Sequence, residues 1–294
     1  LTAAGHTVVY ANRDMDVIRR EIVDADAVLV RIIELPGSLL ATAKNLKIVS
    51  KHGVGYDNID LDYCKSHGVA VTITPNANSL SVAEHAFTLM LTLAKNIIPV
   101  SNEYRTVGFA AKNHAPGIEM TGKTLGLIGM GRIGKHVLHM CKDGLDMHVI
   151  VYDPYISEVP EGVEKVDDLS ELLRRADVVT LHCLLTDETR KLIDRERLAL
   201  MKPTALLINC ARGPIVDEAA LIEALENGRL AGAGLDVTDP EPVAPDSPLF
   251  KLPNVIVTPH YAPTTVESAT RVSKIAAENI NAVLAGKEPV GRIV

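Results

Sequence analysis

The chain has 294 residues, 47% hydrophobic but only 3% aromatic, and a formal charge of −7. Its cores must be filled by Val, Ile, Leu and Ala, which suits buried parallel strands with helices on both faces, and the length allows two domains. Interspersed charges of net negative sign exclude the basic footprint of a nucleic-acid or anionic-membrane binder, so any anionic small molecule must be caught locally.

The N-terminal residues Leu1 to Gly5 read as a last helical turn with its glycine cap, followed by a strand over 6–10. This start predicts that a strand and most of a helix precede them. Helices over 16–23, 37–43 and 61–67 then alternate with strands over 27–31, 46–50 and 70–74, a pattern that implies a parallel sheet. Between strand and helix lies Lys51-His-Gly-Val-Gly-Tyr-Asp-Asn-Ile-Asp60, a glycine-bearing loop at a strand's carboxyl end, where open α/β sheets bind ligands. Its amides could hold a carboxylate with Lys51 beside them as a point charge, although a solvated Lys51 in a plain turn fits the local sequence at least as well.

A helix over 79–96, opened by Ser79, is apolar nearly all round and must be buried between domains or subunits. Glu84 and His85 near its start could be catalytic, but a helix-dipole partner and a polar rim residue is the favoured reading. The segment 101–119 has no clear period and reads as an irregular connection.

Next comes Lys123-Thr-Leu-Gly-Leu-Ile-Gly-Met-Gly-Arg-Ile-Gly-Lys135, an apolar strand running into Gly129, Gly131 and Gly134 and then into a helix. In such a G-x-G-x-x-G turn the first glycine permits the tight bend, the second lets backbone approach a pyrophosphate, and the third lets helix close on strand. The next strand ends in Asp153, near the spacing of about 20 residues at which a carboxylate accepts from ribose hydroxyls. Such a carboxylate repels a 2′-phosphate, and the neighbouring Pro154 and Tyr155 offer no guanidinium, so the expected cofactor is NAD rather than NADP.

Alternation resumes with strands over 178–182, 205–209, 231–237 and 255–258 and helices over 169–175, 195–201 and 218–228. A final helix over 264–284 is long enough to return to the first domain. The expected fold is therefore α/β, two Rossmann-like domains with doubly wound parallel sheets. A substrate domain is formed by both chain ends (1–97 with 264–294), and an NAD-binding domain spans 98–263.

Three residues fall at the carboxyl ends of strands in that second domain: Arg212, Glu241 and His260. Hydride transfer to a ketone needs a proton donor for the developing alkoxide, a cation to orient an oxo acid, and a group that keeps the donor protonated. His, Arg and Glu supply these functions, since a carboxylate beside an imidazole favours the imidazolium. Cys64, Cys141, Cys183 and Cys210 are widely spaced, with no C-x-x-C pair and no metal-ligand spacing, so they read as reduced thiols and no metal is expected. The apolar stretch 86–93 is too short to cross a bilayer, and no signal peptide is visible; the expected location is cytoplasmic.

These motifs together resemble the D-isomer-specific 2-hydroxyacid dehydrogenases. The resemblance rests on Gly53-Val-Gly-Tyr-Asp-Asn-Ile-Asp60, Ser81-Val-Ala-Glu-His85, the glycine turn, Asn209-Cys-Ala-Arg-Gly213, Gly234-Leu-Asp-Val237 and Thr258-Pro-His260. It implies that Arg212 binds and polarises a 2-oxo acid, that His260 is the acid/base and that Glu241 is its partner. It also implies that Asp236 holds the nicotinamide carboxamide and that Arg132 and Ile133 line the pyrophosphate. Cys183 and Cys210 join the cofactor-binding set, while the Val54 and Gly55 amides bind the substrate carboxylate. Lys51 stands where phosphoglycerate dehydrogenases usually carry an arginine for the far anionic end, which favours an acidic substrate such as 3-phosphoglycerate, with hydroxypyruvate or glyoxylate as alternatives. The family also includes NAD-binding corepressors, whose extended tails this sequence lacks, and formate oxidisers, whose glutamine is here Glu241. A homodimer around the 79–96 helix is the implied assembly, and the end at Val294 leaves no room for the regulatory domains of longer members, so serine feedback is not expected. Leu184, Tyr261 and Pro263 depart from the family pattern near the adenine and behind the catalytic histidine.

Overall fold

Short runs of Val, Ile and Leu form ten strands in the computed structural model, which describes residues 1–113 and 116–294, and every ladder between these strands is parallel. The chain divides into two units, residues 1–78 with 265–294, and residues 79–264.

In the first unit, β1 (Ala27–Val30), β2 (Ile48–Lys51) and β3 (Ala70–Thr72) make a sheet in that order. Val30, Val49 and Val71 on one face meet Leu35, Leu40, Ile59 and Cys64. Ile48 and Ala70 on the other face meet Ile280 of the Val266–Leu284 helix, so both faces are covered and the C-terminal segment belongs to this unit. Aspartates at helix starts satisfy amides that the helix itself cannot: Asp14 and Asp60 cap two helices here, and Asp168, Asp194 and Asp217 cap three in the second unit.

The second unit holds β4 (Thr124–Ile128), β5 (His148–Tyr152), β6 (Val163–Lys165), β7 (Val178–Leu181), β8 (Leu206–Asn209), β9 (Gly232–Leu235) and β10 (Val255–Val257). Their order is β10-β9-β8-β7-β4-β5-β6. The winding reverses between β4 and β7, and a crevice outside the carboxyl ends of the strands is where such sheets bind ligands. The Ser79–Ala94 helix lies on β9, where a Cβ on Gly234 would stand 3.0 Å from the Leu89 Cβ. That contact explains why the units divide at 78/79 rather than at the expected 97/98.

Two local expectations change, and one short strand goes beyond them. Residues 6–10 form no strand, because no ladder partner reaches them, and Val9 and Tyr10 are exposed. The Ile97–Val107 helix runs into the segment 101–119 expected to be irregular, and it accommodates Pro99 because a first-turn residue needs no amide hydrogen. Part of that expected connection, residues 114 and 115, lies outside the described residues. The edge strand β6, three residues long, carries no readable period.

Leu207 on β8 is fully buried in the core beneath the candidate site. Leu207→Ala is expected to lower stability by about 2–5 kcal/mol, read as a lower urea midpoint; an unchanged midpoint would show that this face of β8 is not close-packed.

Candidate active site

At the end of β4 the chain turns through Gly129, whose φ of +89° is open to glycine but strained for other residues. A Cβ there would stand 2.7 Å from the Cys183 amide nitrogen, so β4 and the end of β7 meet backbone to backbone. A Cβ on Gly134 would come within 2.2 Å of the Gly129 carbonyl oxygen, which ties the Arg132–Leu145 helix to the turn. Around Gly131 the space is open, and this residue caps the helix without a side-chain bond. Free first-turn amides facing open space suit a pyrophosphate, with Arg132 exposed and Ile133 half-buried beside them. Asp153 follows β5 and accepts from the Met130 amide (2.9 Å) and the Tyr155 amide (3.0 Å), which fixes its carboxylate against the turn. These residues fit a dinucleotide whose adenosine ribose lies on Asp153.

Beyond β7, burial holds the His182 imidazole down at about 3, and Nε2 is 2.8 Å from the Thr180 hydroxyl. Burial pushes the Cys183 thiol up to about 11 and raises Cys210 too, with Asp236 adding to the latter. Both cysteines therefore stay protonated near neutrality, which suits wall residues and not nucleophiles. All four cysteines are free.

The loop after β8 carries Arg212. Asn209, almost fully buried, donates to the Arg212 carbonyl (2.9 Å) and accepts from the Ala211 amide (3.0 Å), while Arg212 Nη1 donates to the Ala211 carbonyl (2.8 Å). Next to it, a Cβ on Gly213 would fall 1.9 Å from the Thr238 carbonyl oxygen, so the loops after β8 and β9 lie in direct backbone contact. The β9 loop continues to Glu241, whose Oε1 lies 2.6 Å from His260 Nδ1. His260 follows β10 with a φ of +53°. Its amide donates to the Asp236 carbonyl (2.8 Å), and the Asp236 carboxylate accepts from the Thr258 hydroxyl (2.6 Å) and from the Tyr261 and Ala262 amides (2.7 and 2.9 Å). Asp236 is buried, and these bonds make it the anchor of the His260 loop, a role its motif position does not reveal.

In the first unit, Lys51 is used differently from the expectation. It is buried, and its ammonium donates to the Arg31 carbonyl (2.5 Å) and to Asn58 Oδ1, binding the loop to the end of β1. Asn58 in turn donates to the Ile33 carbonyl (2.6 Å). The exposed cation at that strand end is Arg31, which sequence reasoning missed because it reads as the polar end of a strand. Burial, and then the Arg31 guanidinium, lower the His52 pKa. Val54 and Gly55 are half-buried, and no backbone carbonyl among the described residues accepts from their amides.

Residues 87–262 match the model of the D-isomer specific 2-hydroxyacid dehydrogenase NAD binding domain. The D-3-phosphoglycerate dehydrogenase of Methanocaldococcus jannaschii is 43% identical over 98% of this chain and 55% of its own length. The glyoxylate reductase of Thermofilum pendens is 39% identical over 96% of this chain and 86% of its own. The structure of D-lactate dehydrogenase from Aquifex aeolicus, complexed with NAD and lactic acid, superimposes with a TM-score of 0.85 at 35% identity, covering 91% of this chain and 85% of that one.

The chain belongs to the D-isomer-specific 2-hydroxyacid dehydrogenase family. It spans about half the length of the phosphoglycerate dehydrogenases it resembles. The glycine turn and Asp153 lie within the residues that match this family's NAD-binding domain, and the loops after β8, β9 and β10 bring Arg212, Glu241, Asp236 and His260 to the same edge of one sheet.

The buried His182 predicts an acid-side loss of stability. An unfolded chain protonates this imidazole below about pH 6.5 and the folded chain only near 3, so its contribution is intact above 6.5 and falls as pH drops toward 3. Between pH 7.5 and 5 the loss is about 2 kcal/mol. His182→Gln is expected to flatten the fall in urea-derived stability over that interval, and an equally steep fall in the variant would assign it to other groups.

Proposed function

We propose that this protein is an NAD-dependent oxidoreductase of the cytoplasm that interconverts a D-2-hydroxy acid and its 2-oxo acid, with an acidic substrate such as 3-phosphoglycerate. The observation that carries the reading is the 2.6 Å contact between Glu241 and His260 Nδ1, on the sheet edge that also carries Arg212. A carboxylate at Nδ1 fixes the proton on that nitrogen and leaves Nε2 to exchange a proton with the substrate oxygen. Arg212 holds the 2-oxo acid by charge-assisted hydrogen bonds and polarises its carbonyl. The Val54 and Gly55 amides bind the substrate carboxylate. The reduced dinucleotide, when held by the glycine turn and Asp153, supplies the hydride. In the oxidative direction His260 accepts the hydroxyl proton, and Glu241 stabilises the imidazolium that results.

Support for an acidic substrate comes from Arg31, exposed at the end of β1 with its carbonyl held by Lys51. Relatives named D-3-phosphoglycerate dehydrogenase point the same way, while those named glyoxylate reductase support a small-acid alternative. In the acidic reading Arg31 meets the distal anion and Lys51 shapes the loop. A homodimer is the proposed assembly, supported by the exposed apolar side chains Ile97, Ile98, Tyr104, Val107 and Phe109 along one continuous segment.

NADH consumption with 3-phosphohydroxypyruvate, hydroxypyruvate, glyoxylate and pyruvate tests the reading. His260→Ala is expected to lower turnover at least about a hundredfold while NADH still binds. Arg31→Ala should weaken only the doubly anionic acid, by about tenfold in kcat/KM. Equal losses for all acids in Arg31→Ala would remove the acidic-substrate assignment. No turnover of any acid despite tight NADH binding would favour a binding protein.

A further inference from the structure

The Ser79–Ala94 helix contributes one ionisable side chain to the sheet edge described above, and no step of the proposed reaction uses it. His85 Nε2 lies 3.0 Å from the Thr258 hydroxyl and 3.5 Å from Asp236 Oδ1, with the ring edge-on to Tyr261 at 6.3 Å. Its side chain is 17% exposed and that of Asp236 1%, so water competes little for these groups.

Hydrogen counting fixes the direction of the chain. Thr258 has one hydroxyl hydrogen, and it is donated to Asp236 Oδ1 at 2.6 Å. The hydroxyl can therefore only accept from His85, so Nε2 must carry a hydrogen. The sequence of donors is His85 Nε2–H to Thr258 Oγ1, then Thr258 O–H to Asp236 Oδ1. The same oxygen takes the Tyr261 amide, Oδ2 takes the Ala262 amide, and the Asp236 carbonyl takes the His260 amide.

We propose that His85 is a positioning residue for His260, acting through the Thr258 hydroxyl and the Asp236 carboxylate. His260 adopts a left-handed conformation that is unfavourable for a non-glycine residue, so neighbouring bonds must hold it there. The loop from Thr258 to Ala262 is wrapped on a single carboxylate, and the Thr258 rotamer is one of its supports. The Nε2–H of His85 holds that rotamer from beside Asp236, 3.5 Å from its Oδ1. Without it, the hydroxyl retains its donor bond but loses the partner that orients it, and a displacement of the loop of well under 1 Å is enough to misplace a proton donor.

The inference rests on the proposed hydride-transfer reading, and its test separates the two. In wild-type protein, the ¹⁵N–¹H imidazole spectrum reads the protonation pattern directly: the account requires a hydrogen on His85 Nε2. That measurement needs no turnover, and an unprotonated Nε2 would overturn the proposal whatever the reaction. In activity assays, His85→Gln, which can set an amide N–H where Nε2 stood, should keep kcat within about threefold of wild type. His85→Leu should lose about tenfold in kcat with KM for NADH changed less than about twofold. In a Thr258→Val background the His85→Leu substitution should cost nothing further. Equal losses in the Gln and Leu variants, or full additivity with Thr258→Val, would assign His85 to packing alone. Absence of turnover in wild type would refute the reading of the reaction and leave the spectrum to decide the role of His85.

Discussion

The carboxylate of Asp236 is the constraint on which the rest of the candidate site depends. It is almost fully buried and accepts three close donors, each from the loop that carries His260. A buried carboxylate is tolerated only where such donors replace water. The same bonds that make Asp236 tolerable therefore fold the loop around it and hold His260 in a backbone conformation it would not choose alone. Replacement of either party leaves the other exposed to an unsatisfied polar group, which costs more than the bond itself contributed.

The parallel sheet makes this arrangement possible. In a sheet wound in the order β10-β9-β8-β7-β4-β5-β6, every strand ends on the same edge, so loops distant in sequence become neighbours. Arg212 follows β8, Glu241 lies beyond β9 and His260 beyond β10. Backbone contact at Gly213, where a Cβ would overlap the Thr238 carbonyl, brings the first two loops together, and the Glu241 to His260 contact closes the third against them. Across the winding reversal the same edge offers the glycine turn, where Gly129 and Gly134 remove the side chains that would hold β4, β7 and the helix apart.

Much of this was legible in the sequence because it is carried by local rules. Aspartate caps, alternating apolar runs and the glycine spacing each leave a signature within a few residues. The α/β alternation and the identity of the glycine turn followed from those signatures. Lys51, Arg31 and His85 were less legible because their roles depend on partners far along the chain. A lysine just before a glycine-rich turn looks solvated or substrate-facing; only the carbonyl of Arg31, brought alongside by strand pairing, shows that its charge is held inside the loop. Asp236 reads as one motif position among several until the Thr258 to Ala262 loop is seen wrapped on it. The strand expected over 6–10 failed for the complementary reason: a β-like pattern forms a strand only where a neighbour supplies a ladder.

Single-turnover NADH oxidation by a 2-oxo acid in Asp236→Asn, set beside NADH affinity from fluorescence quenching, is the most direct test of the claim that this carboxylate holds the proton donor in place. An amide presents a second set of donors to the loop's own donors, so the account predicts a hydride-transfer rate at least about a hundredfold lower with NADH affinity changed by only a few-fold. A wild-type rate in the variant, or losses of rate and affinity in equal measure, would contradict it.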